Sequence, residues 1–423
     1  MSNETVGRTD LVFDIFKDHE TNWVFKRTLE YMGVQAAEIG ECLFTASKIN
    51  EKKIETWMES WAELANRLEK EADVAIKNNH LVSARNLYLR ASNYYRTAEY
   101  GTSPYHHRFH ELWQKSRECF HKAAKLFNPP IQIIEVPFDG KKLPGYYWTS
   151  NSSEKRPTIF AVGGNDTSGE EVVMAIGFDA IQRGYNFFTF EFPGHRGTVH
   201  LYPDCIKRPD YEVPFKVAFD VLEKLPNVDN RIALTGLSFG GYVVTRVAIH
   251  ESRVKAVIPN SPLSDLLNVS LEFWGGITKT NLKKKLDRMK KIVRYIPDSW
   301  LQKKLDKKYK KAPIRKVFKQ YTDWTNGTLD KTIVEKLDLI DSYSAYQIAN
   351  DLQKITCPAL ALVSKSEGTI MMKEAITFIE KISSEIKKIH IFSLESDGSD
   401  DHCQLDNRSR GNQIMFDWLD EIF

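Results

Sequence analysis

The sequence predicts an α/β protein in which an eight-stranded, mostly parallel sheet is flanked by helices, preceded by an all-helical region and interrupted late by a helical insertion. Three observations carry this. Residues up to about 127 follow a helical period with no strand signal. The run Asn128-Pro129-Pro130 then breaks the helix. After it, short apolar runs of strand length alternate with helix-period stretches. At 423 residues the chain exceeds one average domain. A helical cap over 1–130 and a sheet domain over 131–423, with its insertion at about 263–355, are expected.

In order, the stretch from about Asn22 to Phe127 is rich in Ala, Leu, Glu, Lys and Arg, with apolar residues recurring at three and four. Within it, Leu81 to Tyr100 puts Ala84, Leu87, Tyr88, Ala91, Tyr94, Tyr95 and Ala98 on one face, small residues allowing close helix packing. That helix resembles a tetratricopeptide helix, but no repeat recurs, so a single helical unit is expected. Next, Ile131–Phe138 and Leu143–Trp148 flank Asp139-Gly140 as a hairpin. Thr158–Val162, Asn186–Phe192, Arg231–Thr235, Ala256–Pro259, Ala359–Val363 and Lys388–Leu394 supply six further strands. Helical patterns at Glu170–Arg183, Tyr211–Leu225 and Tyr242–Glu251 separate several of them. The insertion between the sixth and seventh strands is Lys-rich and carries Phe273, Trp274, Trp300 and Trp324, which suits a lid over the strand ends.

Composition narrows the class. With 42% hydrophobic and 27% charged residues the chain can bury a large core, which excludes disorder. The five cysteines, Cys42, Cys119, Cys205, Cys357 and Cys403, are odd in number and lack any C-x-x-C pair, so reduced thiols and no structural metal are expected. No cofactor is called for. The N-terminus shows neither a signal-peptide pattern nor a long apolar run, which reads as cytoplasmic with no membrane span. A net charge of +3 conceals an asymmetry: Lys279 to Lys319 holds 17 Lys/Arg against Asp287, Asp298 and Asp306. The rest is net acidic, so a nucleic-acid-coating protein is not described. The basic segment reads first as a solvated helix face and second as a means of steering an anionic substrate.

The chemistry centres on Gly236-Leu237-Ser238-Phe239-Gly240-Gly241, placed directly after the strand RIALT and before the helical run YVVTRVAIH. A serine hydroxyl is a poor nucleophile unless exposed beside a base, and a sharp strand-to-helix turn projects it above the sheet. This G-x-S-x-G context is that of the nucleophile in an α/β-hydrolase fold. The helix that follows aims amides at a developing oxyanion, the Phe239 N–H among them. A second donor is expected from the backbone of Gly164 or Asn165, in the loop after the first parallel strand. Among eleven histidines, His402 alone follows the last strand in a polar loop, where this fold places its base. Glu367 follows the seventh strand as candidate acid, with Asp397, Asp400 and Asp401 as rivals. The chain order Ser, acid, His is that of this fold. His195 and Arg196, at the end of the fourth strand, are possible substrate contacts, although a structural turn explains them as well.

With these residues in place, the chain from about Ala84 onward resembles the branch of α/β-hydrolases that contains the fermentation-respiration switch protein, dihydroxypseudooxynicotine hydrolase and the polyketide-shortening yellowish-green hydrolases. The stretches SARNLYLRASNYYRTAEY, GLSFGGY and DHCQ carry the likeness. The resemblance implies an N-terminal helical cap, a cofactor-free Ser/His/acid triad, often a homodimer, and cleavage of esters or of the carbon-carbon bond in activated ketones. It departs at the acid, where the family has Asp and this chain has Glu367 followed by Gly368. The resemblance also implies an extra carboxylate at the start of the lid, for which Glu272 is the nearby acid.

The expected activity is therefore acyl transfer to water from a small carbonyl substrate with an apolar or aromatic body. A thioesterase or acyltransferase on carrier-bound or coenzyme A substrates is the alternative within enzymes. A ligand-binding pseudo-hydrolase is the alternative outside them.

Overall fold

The computed structural model describes residues 15–150, 154–273, 279–309 and 313–423. Five helices come first: α1 His19–Leu29, α2 Ile39–Ser47, α3 Ile54–Lys77, α4 Leu81–Tyr100 and α5 Arg108–Ala124. Helix α3 buries Trp57, Trp61, Ala65, Leu68, Ala72 and Ala75 along one stripe, the spacing a packed helix requires. Rings of Phe16, Phe25, Trp57, Trp61 and Tyr94 follow one another at centroid separations of 5.5 to 6.3 Å. They form an aromatic spine to which offset contacts add specificity.

Helix α4 differs from its sequence pattern. The small-residue face is buried, but so are Asn93, Arg96, Thr97 and Glu99 on the rest of its circumference. An apolar period marks only the face that meets α3 and α5. The polar face is covered by the helices after β3 and β4, whose Glu171, Arg196 and His200 meet it through ion pairs, which leave no apolar signature in the sequence.

Eight strands follow: β1 Gln132–Phe138, β2 Lys141–Trp148, β3 Arg156–Val162, β4 Asn186–Phe190, β5 Val228–Leu237, β6 Val254–Asn260, β7 Ala359–Ser364 and β8 Lys387–Phe392. They form one sheet in the order β1-β2-β4-β3-β5-β6-β7-β8. The pairs β1–β2 and β2–β4 are antiparallel, and every other pair is parallel. Asp139 and Gly140 both take positive φ, 49° and 71°, as a tight hairpin turn demands. Buried on both faces, β3 to β7 are nearly continuous apolar runs.

Three helical pieces, α6 Gly169–Val172, a π turn Val173–Gly177 and α7 Phe178–Gln182, follow β3. Helices α8 Arg196–Leu201, α9 Glu212–Leu222 and α10 Phe239–His250 come before β6. The insertion holds α11 Leu266–Phe273, α12 Lys279–Val293, α13 Asp298–Tyr309, α14 Pro313–Thr325 and α15 Ile333–Asp338. The chain closes with α16 Gly368–Lys381, α17 Leu394–Asp397 and α18 Arg408–Ile422.

One face of the sheet shares a continuous core with α18, the π turn and the N-terminal helices, from Phe25 and Trp61 through Ile176 to Phe416. The other face packs on α9, α10 and α16. The insertion has only a small core of its own, Leu267, Leu271, Leu282, Leu286 and Leu337. All five cysteines are free, and among the described residues no helix is long and apolar enough to cross a membrane.

Candidate active site

Strand β5 ends in a turn where Ser238 takes φ 57°, ψ −119°, a left-handed conformation that costs a non-glycine residue about 1–3 kcal/mol. The turn tolerates it because its neighbours lack side chains. A Cβ at Gly240 would stand 2.6 Å from the Gly163 carbonyl oxygen, and one at Gly164 would stand 2.9 Å from Ser238 Cβ. The strained turn is thus pressed against the loop after β3.

Three of the expected residues meet there. His402 Nε2 lies 2.8 Å from Ser238 Oγ, and His402 Nδ1 is hydrogen-bonded to Glu367 Oε1. Ser261 Oγ donates to both Glu367 oxygens, at 2.7 and 2.6 Å, and the Ser364 N–H donates to Oε2 at 2.8 Å. Fully buried and so held, the carboxylate has a fixed orientation. Burial by itself would lower the pKa of His402, but the neighbouring Cys403 and Glu367 outweigh it and raise it well above the ordinary histidine value. Two of the rival acids are engaged elsewhere. Asp397 binds His390 at 3.1 Å and Arg410 at 3.0 Å, while Asp401 accepts the His402 backbone N–H at 2.8 Å.

Around the nucleophile, the Gly164 N–H donates to Thr167 Oγ1 at 3.2 Å. Asn165 is joined through its side chain to the Lys207 ammonium and, at 3.5 Å, to Thr322 Oγ1 of α14. Lys207 also sits 5.5 Å from the Phe239 ring centre, and burial pulls its pKa down to about 7 against the opposing pull of Asp166. His195 and Arg196 are both 1% exposed. His195 stacks on Phe192, and Arg196 pairs with Glu99 of α4 while donating to the Asp166 carbonyl at 3.4 Å. Arg196 thus lies in the seam between α4 and the sheet, while the His195 ring lies beside the Gly163 loop, where a Cβ on Gly163 would stand 3.1 Å from its Nε2. Glu272 belongs to α11, but its side chain, like Trp274, lies outside the described residues.

Several positioning residues carry no sequence signal. Ser261, Asn260 and Gln404 link the ends of β6 and β7 to the His402 loop, with Asn260 Nδ2 donating to Gln404 Oε1 at 2.7 Å and Gln404 Nε2 to Ser364 Oγ at 3.0 Å. From the N-terminal helices, Arg27 binds Asp166 at 2.6 Å and Glu171 at 2.9 Å, and Arg96 binds Glu171 at 2.8 Å. Lys26 reaches Asp401 at 3.3 Å. Two loops of the site are therefore braced from outside the sheet.

Among the described residues, donor atoms of Glu367, His402 and Cys403 lie within 4.8 Å of one another and could hold a metal ion. Both imidazole nitrogens already face partners, Ser238 and Glu367, so an ion there would displace those hydrogen bonds.

Comparison with known proteins agrees with this architecture. A model of the X-Pro dipeptidyl-peptidase S15 family matches residues 215–393. The α/β hydrolase xenA of Xenoacremonium sinensis is 32% identical over 246 residues, 55% of this chain and 57% of that protein, so the match spans little more than half of the relative. The α/β hydrolase gkaG of Penicillium citrinum is 26% identical over 369 residues, 83% of this chain and 82% of that one. The crystal structure of 2,6-dihydroxy-pseudo-oxynicotine hydrolase superposes with a TM-score of 0.69 at 22% identity, covering 93% of this chain and 95% of that one. That likeness shows the α/β-hydrolase fold. Because the FrsA-like esterase model matches residues 50–273, more than half of the sequence, the chain belongs to the FrsA-like family of α/β hydrolases.

Proposed function

We propose that the chain is a serine hydrolase that cleaves a carbonyl substrate through an acyl-enzyme. The carrying observation is the unbroken line from Ser238 Oγ through His402 to Glu367. His402 Nε2 takes the hydroxyl proton as Oγ attacks the carbonyl carbon, and Glu367 accepts the Nδ1–H and stabilises the imidazolium that forms. The negative oxygen is received by the Phe239 N–H at the start of α10 and by an amide of the Gly164–Asn165 turn. Asn165 is the better candidate of the two, since the Gly164 N–H already has Thr167 as acceptor. Collapse of the intermediate expels the leaving group, which takes the proton from His402, and a water then repeats the sequence to free the acid.

The resemblance of the elbow, the terminal DHCQ and α4 supports an ester, or the carbon-carbon bond of an activated ketone, as the bond broken. The same resemblance favours a substrate with an apolar or aromatic body. The basic insertion favours a second reading, a thioesterase or acyltransferase on anionic carrier-bound substrates, separable by adding thiol or alcohol acceptors to a product assay.

The primary test is labelling with a fluorophosphonate probe. Adduct on Ser238 of the native protein, lost in Ser238→Ala together with roughly 10⁴- to 10⁶-fold of turnover, is the expected result. Absence of an adduct on the folded native chain would instead favour a ligand-binding protein.

A further inference from the structure

The apolar stripe of α12 does not stop where its packing stops. Leu282 and Leu286 are buried in the small core of the insertion, yet Met289 and Ile292, on the following turns, are 43% and 55% exposed. Beyond the helix end Tyr295 is 82% exposed, and Trp300, in the first turn of α13, is 45% exposed. Four large apolar side chains are thus presented to water within twelve residues, at the corner between two helices.

Their surroundings are cationic. Lys284, Lys285, Arg288, Lys291, Arg294, Lys303, Lys304 and Lys307 are all exposed on the same two helices, against the exposed acids Asp287 and Asp298. Lys304 Nζ stands 4.0 Å over the Trp300 ring, and the Arg294 guanidinium lies 5.9 Å from the Tyr295 ring centre. A solvated helix face would carry the lysines without the tryptophan, tyrosine, isoleucine and methionine. A protein-binding groove would be concave and less densely charged. Exposed aromatics set among lysines match the interfacial zone of a bilayer, where amphipathic rings sit at headgroup depth while long basic side chains reach anionic phosphates.

We infer that the α12–α13 corner is a peripheral docking surface for an anionic phospholipid membrane, with Met289, Ile292, Tyr295 and Trp300 entering the interface and the surrounding lysines and arginines neutralising lipid charge. Each basic residue near such a surface strengthens partitioning about fivefold, so charge supplies attraction and the four apolar tips supply insertion. The surface belongs to the same insertion whose α14 reaches the loop beside Ser238 through Thr322, 3.5 Å from Asn165.

The test is co-sedimentation of the full chain with phosphatidylcholine vesicles, with and without about 30% phosphatidylserine. Binding at least about tenfold stronger to the anionic vesicles, and falling at least tenfold between about 0.1 and 0.5 M salt, is expected. The Tyr295→Ser/Trp300→Ser double variant should lose at least fivefold with its circular dichroism unchanged, because both residues are exposed. Lys284→Glu/Lys291→Glu should lose more. Equal binding to both vesicle types, no binding to either, or a double variant that binds like the native chain would each overturn the inference. So would a polyuridylate RNA that binds as tightly as the anionic vesicles and is indifferent to the loss of Tyr295 and Trp300, an outcome that would mark a nucleic-acid face instead.

Discussion

The N-terminal helices and the late insertion both contribute helices next to the sheet, yet they place their charges on opposite sides. In the N-terminal region, Arg27, Arg96 and Glu99 are buried and face the loops and helices beside the sheet, where Asp166, Glu171, Arg196 and His200 answer them. Arg27, Arg96 and Arg196 balance Glu99, Asp166 and Glu171 in formal charge, the condition under which a buried ionic cluster is tolerated. In the insertion Lys284, Lys285, Lys291, Lys303, Lys304 and Lys307 of α12 and α13 face water, and contacts with the rest of the molecule are made by Ser264, which donates to Glu374 at 2.7 Å, by Tyr346 beside Phe239 and Tyr242, and by α14. There Phe318 stacks on Tyr100 at 6.2 Å, Trp324 meets Phe109 at 5.1 Å, and Tyr321 lies under Arg196 at 5.2 Å. Charge content says little about the role of a helix; what the charge faces decides it. One region is a brace, gripping the Asp166 loop and the His402 loop together, and the other presents a chemically distinctive outer face.

That contrast is broken most directly by Arg96→Met. The change leaves Glu171 and Glu99 short of a partner in a dry interface, and removing one side of a buried pair costs about 3–5 kcal/mol. Denaturant unfolding should show that loss, and kcat should fall roughly tenfold because the Asp166 carbonyl loses its 2.6 Å donor from Arg96. A loss below about 1 kcal/mol would mean the N-terminal helices are held by their apolar core alone. A smaller effect comes from acid. Burial raises the pKa of Asp166, but Arg27 and Arg96 outweigh it and bring it to about 2. A carboxylate depressed on folding adds stability that is complete above its unfolded value near 3.8 and is lost as pH falls toward the folded value. About 2 kcal/mol should therefore vanish between about pH 4 and 2, less in Arg27→Met, as read by unfolding at a series of pH values.

Much of this brace was hidden from the sequence, and the reason is physical. Ser238, His402 and Glu367 are legible because strand, turn and chain order fix where each side chain emerges, and the structure brings the three into hydrogen-bonding series. The central strands β3 to β7 are legible because burial on both faces makes them apolar. Arg96 and Glu99 are not, since a helix that docks through ion pairs looks like a helix that faces solvent. Ser261 and Gln404 are equally silent, because small polar residues on loops become partners only after β6, β7 and the last loop converge. His195 and Arg196, read as possible substrate contacts, prove to be buried, with Arg196 paired to Glu99 of α4, a burial that a polar turn in the sequence does not announce.

The same comparison predicts which charges reach the base. His402 is raised by Cys403 and Glu367 against the effect of burial, and neither residue belongs to either helical cover. Catalysis needs the neutral imidazole, so kcat/KM should decline as pH drops through the folded pKa, with the midpoint of that limb above 6.5. Replacing Lys284, Lys291 and Lys304 with Gln should leave that midpoint in place, since at about 0.15 M salt exposed charges beyond roughly 8 Å are screened. A displaced midpoint would show the outer lid charges acting on the site through space.

The smallest effect is expected where the insertion is most exposed. Trp300→Ser removes a ring that is 45% exposed and whose Lys304 partner stands 4.0 Å above it. An exposed cation–π contact contributes about 0.5–1 kcal/mol, and the serine also relieves apolar surface from water, so the net change in unfolding free energy should stay within about 0.5–1 kcal/mol. Set beside the several kcal/mol expected for Arg96→Met, that difference measures how unequally the two regions support the fold. A loss above about 2 kcal/mol for Trp300→Ser would place the ring inside a packed interface. It would also remove the reason for treating α12 and α13 as a free surface, because a side chain that holds the fold together cannot at the same time be spare for an external partner.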